Sequence, residues 1–357
     1  MNIEIITTPN KDLKESGFGS LSSCNSVLEA VMNMGHNVVL NICKTKEDLL
    51  NIVLRQPDLV VLGVKYLSFK DESDVWLSEY FSNHRINYTG SSKDVLRFDS
   101  SKVMAKSYLK NRGIKTADFF TAVPGEYKSE VDLPVKFPLF LKPVDAANGN
   151  GIDDLSYVTN YEEFESKVLS LYSQYNAPVL VEEYLDGKEY TVSVIQTSSG
   201  RLVISPIEIV PLASTNGLKI LGHKAKTEDS EELKKIKDNM TKVKLVKMAT
   251  EVFFGLGIRD YGRIDIKTNK DGECYFMEVN LVPGMTHGSS YFPKSCEIEN
   301  KFAYDDAVAL MLSQGINRIP SNKNINKKVK LNSNFLNGYS IETMMSQSQP
   351  SAVNLSL

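Results

Sequence analysis

Three oxygen-bearing side chains stand at a spacing that suits a divalent cation. They are Asp265, Glu278 and Asn280, in the stretch RIDIKTNKDGECYFMEVN from Arg263 to Asn280. Arg-Ile-Asp-Ile-Lys alternates polar and apolar residues, as a half-buried strand does. Asn269-Lys270-Asp271-Gly272 is turn chemistry, and Cys274 to Val279 reads as the returning strand. A hairpin would bring an acid on one strand to an acid and an amide at the end of the other. Magnesium takes oxygen ligands and is usually held by one or two carboxylates together with substrate phosphates. The pattern therefore predicts a site for Mg²⁺ on a nucleotide. A polar hairpin with its charges in water is the plainer alternative. The joint spacing D-x12-E-x-N, followed by Pro-Gly and a polar loop, argues for the site.

A further charged residue sits where phosphates could be held. Lys142 ends the apolar run Pro138 to Pro143 and leads into the loop VDAANGNG. Lysine is almost never buried unpaired, and loop glycines let backbone N–H groups approach phosphates. Lys102 and Lys106 lie in a predicted helix, SKVMAKSYLKNR, with Ser101 as a cap and Gly113 as its terminator. By spacing alone both are solvated lysines on a helix face, and for Lys106 that is the preferred reading.

The elements that must position these residues follow from the pattern. Residues 2–7, 37–42 and 58–64 are short runs rich in Ile and Val, with helical stretches near 21–34, 45–55 and 72–83 between them. Such alternation predicts a parallel sheet with covered faces. The region lacks the G-x-G-x-x-G of a dinucleotide site. Further on, residues 160–172 read as a helix and Val179 to Ile195 as two strands about a turn at Gly187. Leu202 to Ile209 is another strand. Pro211 to Asp229 is a long loop of the kind that forms lids. Residues 230–254 read as a charged helix in which KKIKDNMTKVK is a solvated face. Lys301 to Leu312 reads as a final helix.

The chain has 357 residues, enough for two or three domains, with 42% apolar and 24% charged residues and a net charge of −3. Nothing in that balance favours nucleic acid or an anionic membrane. No apolar run approaches the ~18 residues of a spanning helix, and MNIEIITTPNKD lacks the features of a signal peptide. Cys24, Cys43, Cys274 and Cys296 are scattered without a C-x-x-C, and the four histidines show no metal-ligand spacing. A cytoplasmic protein is expected.

Several of these stretches match one family. EVNLVPGMTHGSSYFP resembles the end of the active site in D-alanine–D-alanine ligases, within the ATP-grasp superfamily, and GRID resembles that family's Gly-Arg-Ile-Asp strand. SKVMAKSYLKNRGI resembles D-K-x-x-x-K-x-x-L-x-x-x-G-I, with Ser101 in place of the Asp. FLKPVDAANGNG resembles V-K-P-x-x-x-G-S-S-x-G, with Asn148 and Gly149 where the serines would be. VLVEEYLDGKEYT resembles V-L-I-E-x-x-L-x-G-x-E-x-T. GHKAKTED resembles the family's lid, with Lys224 as the lysine that faces the γ-phosphate and Ala225 in the place of a tyrosine. The resemblance covers residues 1–314.

It implies an ATP-grasp fold of the α/β (α+β) class. A Rossmann-like α/β domain would span 1–98, a central subdomain 99–195 and a C-terminal antiparallel-sheet subdomain 196–314. The tail 315–357, rich in Asn, Ser and Lys, would stay partly disordered. The implied reaction is ATP-dependent and ADP-forming, joining an amino acid or similar carboxylate to an amino-acid amine through an acyl phosphate. Arg263, Gly284 and Lys224 would be catalytic. Lys102, Lys142, Glu182, Glu183, Tyr184, Leu185, Glu189 and Met277 would bind the nucleotide, acids and leucine together suiting adenosine. Asp265, Glu278 and Asn280 would hold Mg²⁺, as two ions, with Mn²⁺ as a substitute. Ser289 and Ser290 would hold the second amino acid's carboxylate. A homodimer is expected by the same resemblance. D-Alanine–D-alanine ligase itself is one alternative. A small-molecule kinase and a non-catalytic nucleotide-binding regulatory protein are others.

The departures cluster at the first substrate. Phe18 stands where the family has a glutamate for the amino group, with Glu15 three residues upstream. Asn148 and Ala225 replace the serine and tyrosine linked to that glutamate. The pattern predicts a changed first substrate.

Overall fold

The structure, a computed structural model, describes residues 1–13, 18–70, 72–144, 150–211 and 231–320. Glu15, Asn148, Lys224, Ala225 and residues 321–357 lie outside the described residues, whereas the start of the expected tail, residues 315–317, completes the last helix, with Ile316 and Ile319 buried.

The first layer is a parallel sheet of β1 (Asn2–Thr7), β2 (Asn37–Ile42) and β3 (Leu59–Leu62), in the order β2-β1-β3. Helices α1 (Leu21–Asn33) and α2 (Lys46–Arg55) make the crossovers. Thr45 and Asp48 start α2 with reciprocal side-chain-to-backbone hydrogen bonds. After β3 come the short strands β4 (Tyr66–Leu67) and β5 (Val75–Trp76), then helices α3 (Leu77–Asn83), α4 (Lys93–Ser100) and α5 (Lys102–Lys110).

A second, antiparallel sheet contains β6 (Phe119–Ala122), β7 (Leu139–Pro143), β8 (Tyr157–Val158) and β9 (Val179–Glu183), in the order β6-β9-β7-β8. Helix α6 (Tyr161–Tyr175) covers one face through Phe164, Val168 and Leu171.

The third sheet holds β10 (Glu189–Gln196), β11 (Leu202–Pro211), β12 (Glu231–Lys235), β13 (Tyr261–Thr268) and β14 (Cys274–Asn280). Its order is β12-β11-β10-β13-β14, and every pair is antiparallel. Helix α7 (Asn239–Gly255) packs Leu245, Ala249, Val252 and Phe253 on the face that carries Val192, Val194, Ile264, Ile266 and Phe276. Helices α8 (Tyr291–Asn300) and α9 (Tyr304–Asn317) return to the first layer. Phe292, Cys296, Val308, Met311 and Leu312 share a core with Ile3, Ile5, Val27 and Val61.

Two expectations need correction. Glu231–Lys235 is a strand, not the start of a helix. It is the outermost strand of its sheet, where lysines and glutamates discourage edge-to-edge pairing. Lys242, expected on a solvated face, is buried and pairs with Glu299 at 2.5 Å. In addition, β10 pairs with β11 and β13, so Glu189–Gln196 belongs to the third sheet rather than the second.

Candidate active site

The β13–β14 hairpin turns at Asn269–Gly272, with Gly272 at φ +71°, a left-handed conformation that glycine adopts freely. Its register pairs Arg263 with Asn280 and Asp265 with Glu278. Residues two apart on a strand share a face, so these four side chains stand together. Past Asp265 the register shifts and Ile266 faces Phe276, which makes Met277 the extra residue of a bulge. Bulges re-aim side chains beside active sites. This one keeps Glu278 opposite Asp265 while Phe276 turns into the core.

Each carboxylate has a protein cation against it. Asp265 accepts from Arg263 Nε at 3.1 Å and Nη2 at 3.0 Å. It also accepts from Thr191 Oγ1 at 2.7 Å and Asn280 Nδ2 at 3.3 Å. Glu278 lies 3.4 Å from Lys102 Nζ. Among the described residues no three His, Cys, Asp or Glu side chains come together. Here two acids are joined by an amide whose nitrogen points at Asp265, leaving Oδ1 as its atom suited to a cation. Two carboxylates and an amide oxygen are hard donors, a set that fits Mg²⁺ shared with phosphates.

The second cluster is fully internal. Glu182 on β9, with a side chain 1% exposed, lies 2.5 Å from Lys106 Nζ and 2.6 Å from Lys142 Nζ. Burial opposes its ionisation, yet the two ammonium groups hold its carboxyl down at about 2. Burial also opposes the charge on Lys142, but the carboxylates of Glu182, Glu278 and Glu189 raise its pKa above the usual lysine value. Lys106 also donates to Thr116 Oγ1 at 2.7 Å and to the Phe276 carbonyl at 3.3 Å.

These contacts correct one further expectation. Lys106 is not a solvated lysine; its side chain is 0% exposed. Residues four apart share a helix face, and the face of α5 that carries Lys102 to Glu278 also carries Lys106 to Glu182. Each oxygen of Glu182 faces a lysine, so its charge is balanced within the protein.

The rest of the expected nucleotide set lines the β9–β10 connection. Glu183 accepts the Asp118 backbone N–H at 3.0 Å. Tyr184 meets Tyr157 edge-on at 4.6 Å between ring centroids, and Lys267 Nζ lies 5.5 Å from its ring. Leu185 is buried, and Glu189 pairs with Lys267 at 2.7 Å. Gly187 N–H donates to the Thr268 carbonyl at 3.0 Å, and a Cβ there would sit 2.4 Å from that oxygen. The turn therefore docks on β13 at a point that only glycine allows.

At the other end, the loop after β14 rests on the first turn of α1. Ser23 Oγ accepts the Met285 N–H at 3.2 Å and lies 2.7 Å from Thr286 Oγ1. Gly284 precedes this contact and is half-buried, and Ser289 is exposed. Ser290 Oγ accepts the Thr286 N–H at 2.9 Å, so its hydroxyl shapes the loop. Phe18, expected beside the substrate, is corrected outright. Its ring is 0% exposed within the core formed with Ile3, Ile5 and Val27. An apolar ring in the turn just before α1 gains more from that core than from a polar cleft.

Sequence reasoning missed Thr191, whose hydroxyl helps fix Asp265. The signal was present, because Glu189, Thr191 and Ser193 alternate with apolar residues along β10. It also missed Tyr291, which bonds Glu231 and places its ring 5.4 Å from the Arg263 guanidinium. Nothing in the local sequence marks that contact.

The profile of the D-ala D-ala ligase C-terminus family matches residues 108–313, over half of the chain. The chain is 28% identical over 272 residues to the D-alanine–D-alanine ligase of Aquifex aeolicus, covering 75% of this chain and 86% of that protein. It is 26% identical over 300 residues to the D-alanine–D-alanine ligase of Geobacter sulfurreducens, covering 82% and 88%. The crystal structure of the Bacillus anthracis D-alanine–D-alanine ligase complexed with ATP shares the fold. Its TM-score is 0.67 at 23% identity, over 88% of this chain and 97% of that one.

Proposed function

Because this chain belongs to the D-alanine–D-alanine ligase family, we propose that it couples ATP cleavage to joining an amino acid, or a similar carboxylate, to the amine of a second amino acid. It is an ATP-dependent, ADP-forming carbon–nitrogen ligase of the ATP-grasp type. Members of the family use ATP with Mg²⁺. The observation that carries the residue-level reading is the register placing Arg263, Asp265, Glu278 and Asn280 on one face.

In this reading Asp265, Glu278 and Asn280 hold two Mg²⁺ ions, or Mn²⁺ in their place. Bound metal neutralises phosphate charge and templates the transfer. Lys102 and Lys142 hold ATP phosphates, where positioning and charge neutralisation are most of the catalysis. Lys224, outside the described residues, is assigned to the γ-phosphate by the resemblance alone. Glu183, Tyr184, Leu185, Glu189 and Met277 surround adenosine. Glu182 is reassigned, as the anion that fixes Lys142. Arg263 and the backbone near Gly284 stabilise the oxyanion formed when the amine attacks the acyl phosphate. Ser289 and Ser290 face the second substrate's carboxylate. A homodimer is part of this reading by family resemblance alone, and a cytoplasmic location fits four cysteines that are free and buried. A non-catalytic nucleotide binder would not need the Arg263–Asp265–Glu278–Asn280 face.

Phosphate release across L- and D-amino acids, singly and in pairs, tests the reaction. Release should need both a carboxylate and an amine, with a product mass equal to their sum less water. ADP formation without any amine requirement would mark a kinase instead. Lys142→Met keeps the stem and removes the charge. A charged hydrogen bond is worth ~1.5–3 kcal/mol, so ATP affinity by calorimetry should fall roughly tenfold or more. Unchanged affinity would leave Lys142 with a structural role only.

The first substrate is not expected to be D-alanine. A cationic amino group wants an anion or several acceptors, and Phe18 offers neither, lying in the core. The acceptor side keeps Arg263, Gly284 and Ser289, so the amine should still be an amino acid. Steady-state kinetics with D-alanine alone decide between the two readings. Rapid D-alanyl-D-alanine formation would make D-alanine–D-alanine ligase the right answer.

A further inference from the structure

Asp99 sits against the grain of its own helix. It lies in the last turn of α4, where the helix dipole disfavours an anion. Its side chain is only 11% exposed. What holds it there comes from elsewhere in the chain. Oδ2 accepts the backbone N–H of Leu281 at 2.5 Å and that of Val282 at 3.4 Å. Oδ1 accepts from Lys65 Nζ at 2.9 Å. Lys65 follows β3 of the first sheet, and its side chain is 4% exposed.

Leu281 and Val282 directly follow Asn280, the last residue of β14. Three residues beyond Asp99, Lys102 lies 3.4 Å from Glu278. The joint between α4 and α5 therefore touches β14 on both sides of Asn280. Where a strand ends, its next N–H groups lose ladder partners, and buried donors need acceptors. A carboxylate meets that need with short, charge-assisted bonds. A lysine beside it keeps the buried anion compensated.

We infer that Asp99 is a positioning residue for the metal-ligand set, with Lys65 as its counter-ion. This rests on the reading of Asp265, Glu278 and Asn280 as metal ligands. Asp99 fixes where β14 ends and hence where Asn280 and Glu278 point. Through Lys65 the same carboxylate ties that strand end to the first sheet.

The test uses the full chain with ADP and Mn²⁺ as probes, bound Mn²⁺ being read by electron paramagnetic resonance. Lys65→Met with Asp99→Asn removes the pair without leaving a lone buried charge. Groups that orient metal ligands typically change metal affinity 10–100-fold, so Mn²⁺ in the ADP complex should bind roughly tenfold more weakly. Asp265→Asn serves as the ligand control, and Glu79→Gln, in an exposed pair with Lys93, as the neutral one. A merely structural pair would lower the melting temperature yet leave Mn²⁺ affinity within about twofold. That result, with Asp265→Asn still weakening binding, overturns the inference alone. Should Asp265→Asn also bind Mn²⁺ normally, the metal assignment has failed and the inference falls with it. If the double variant does not fold, Asp99→Asn alone, which keeps the side-chain shape, is read by the same criteria.

Discussion

Glu278→Ala is expected to lower phosphate release by about two to three orders of magnitude while leaving the protein folded. Metal-held phosphate charge is worth several kcal/mol in the transition state, and each ~1.4 kcal/mol is a factor of ten. The carboxylate is the one acid on β14 that faces Asp265. Its side chain is 26% exposed, so removing it opens no sealed cavity. Asp265→Asn should cost as much, and more than its lost charge alone, because Asp265 also orients Arg263. Near-normal release from Glu278→Ala at saturating Mg²⁺ would remove both acids from the metal site.

Glu182→Gln should instead be a stability variant first. It leaves Lys106 and Lys142 without their shared carboxylate in a fully buried site. Breaking a buried ion pair by removing one partner costs ~3–5 kcal/mol, which urea unfolding would register as a large fall in midpoint. Glu183→Gln, one residue on but half-buried, should change stability by less than about 0.5 kcal/mol. The pH dependence has a fixed sign. The folded-state pKa of Glu182 is depressed to about 2 from 4.5. Its contribution is therefore present above pH ~4.5 and lost as pH falls from there towards ~2. Wild type should lose stability in that window, and Glu182→Gln should lose less of it. Equal stability of the two proteins at neutral pH would contradict the assignment.

The hairpin was legible because its signals are local. Alternation fixed the faces of β13, turn residues fixed the reversal, and together they brought Asp265, Glu278 and Asn280 to one place. The bulge at Met277 was not legible, since nothing in CYFMEVN distinguishes a bulged residue from a paired one. Lys106 was misread for a related reason. Helical spacing says which residues share a face, and only packing says which face meets another element. Glu182 reads as a nucleotide-binding acid by the resemblance, and only the fold brings two lysines from α5 and β7 to it. Asp99 and Lys65 are 34 positions apart and meet a backbone 182 positions beyond Asp99, a distance no local pattern can report. The strand Glu231–Lys235 looked helical because an edge strand needs the same charged residues as a solvated helix.

The most direct test of the central claim follows an oxygen atom. An acyl phosphate forms when a substrate carboxylate oxygen attacks the γ-phosphorus of ATP, and attack by the amine then expels that oxygen with the phosphate. The first amino acid of the pair that supports turnover, labelled with ¹⁸O in its carboxylate, should pass one ¹⁸O to each inorganic phosphate released, with ADP as the other nucleotide product. Phosphate that stays unlabelled, or label that appears in AMP, would contradict the account.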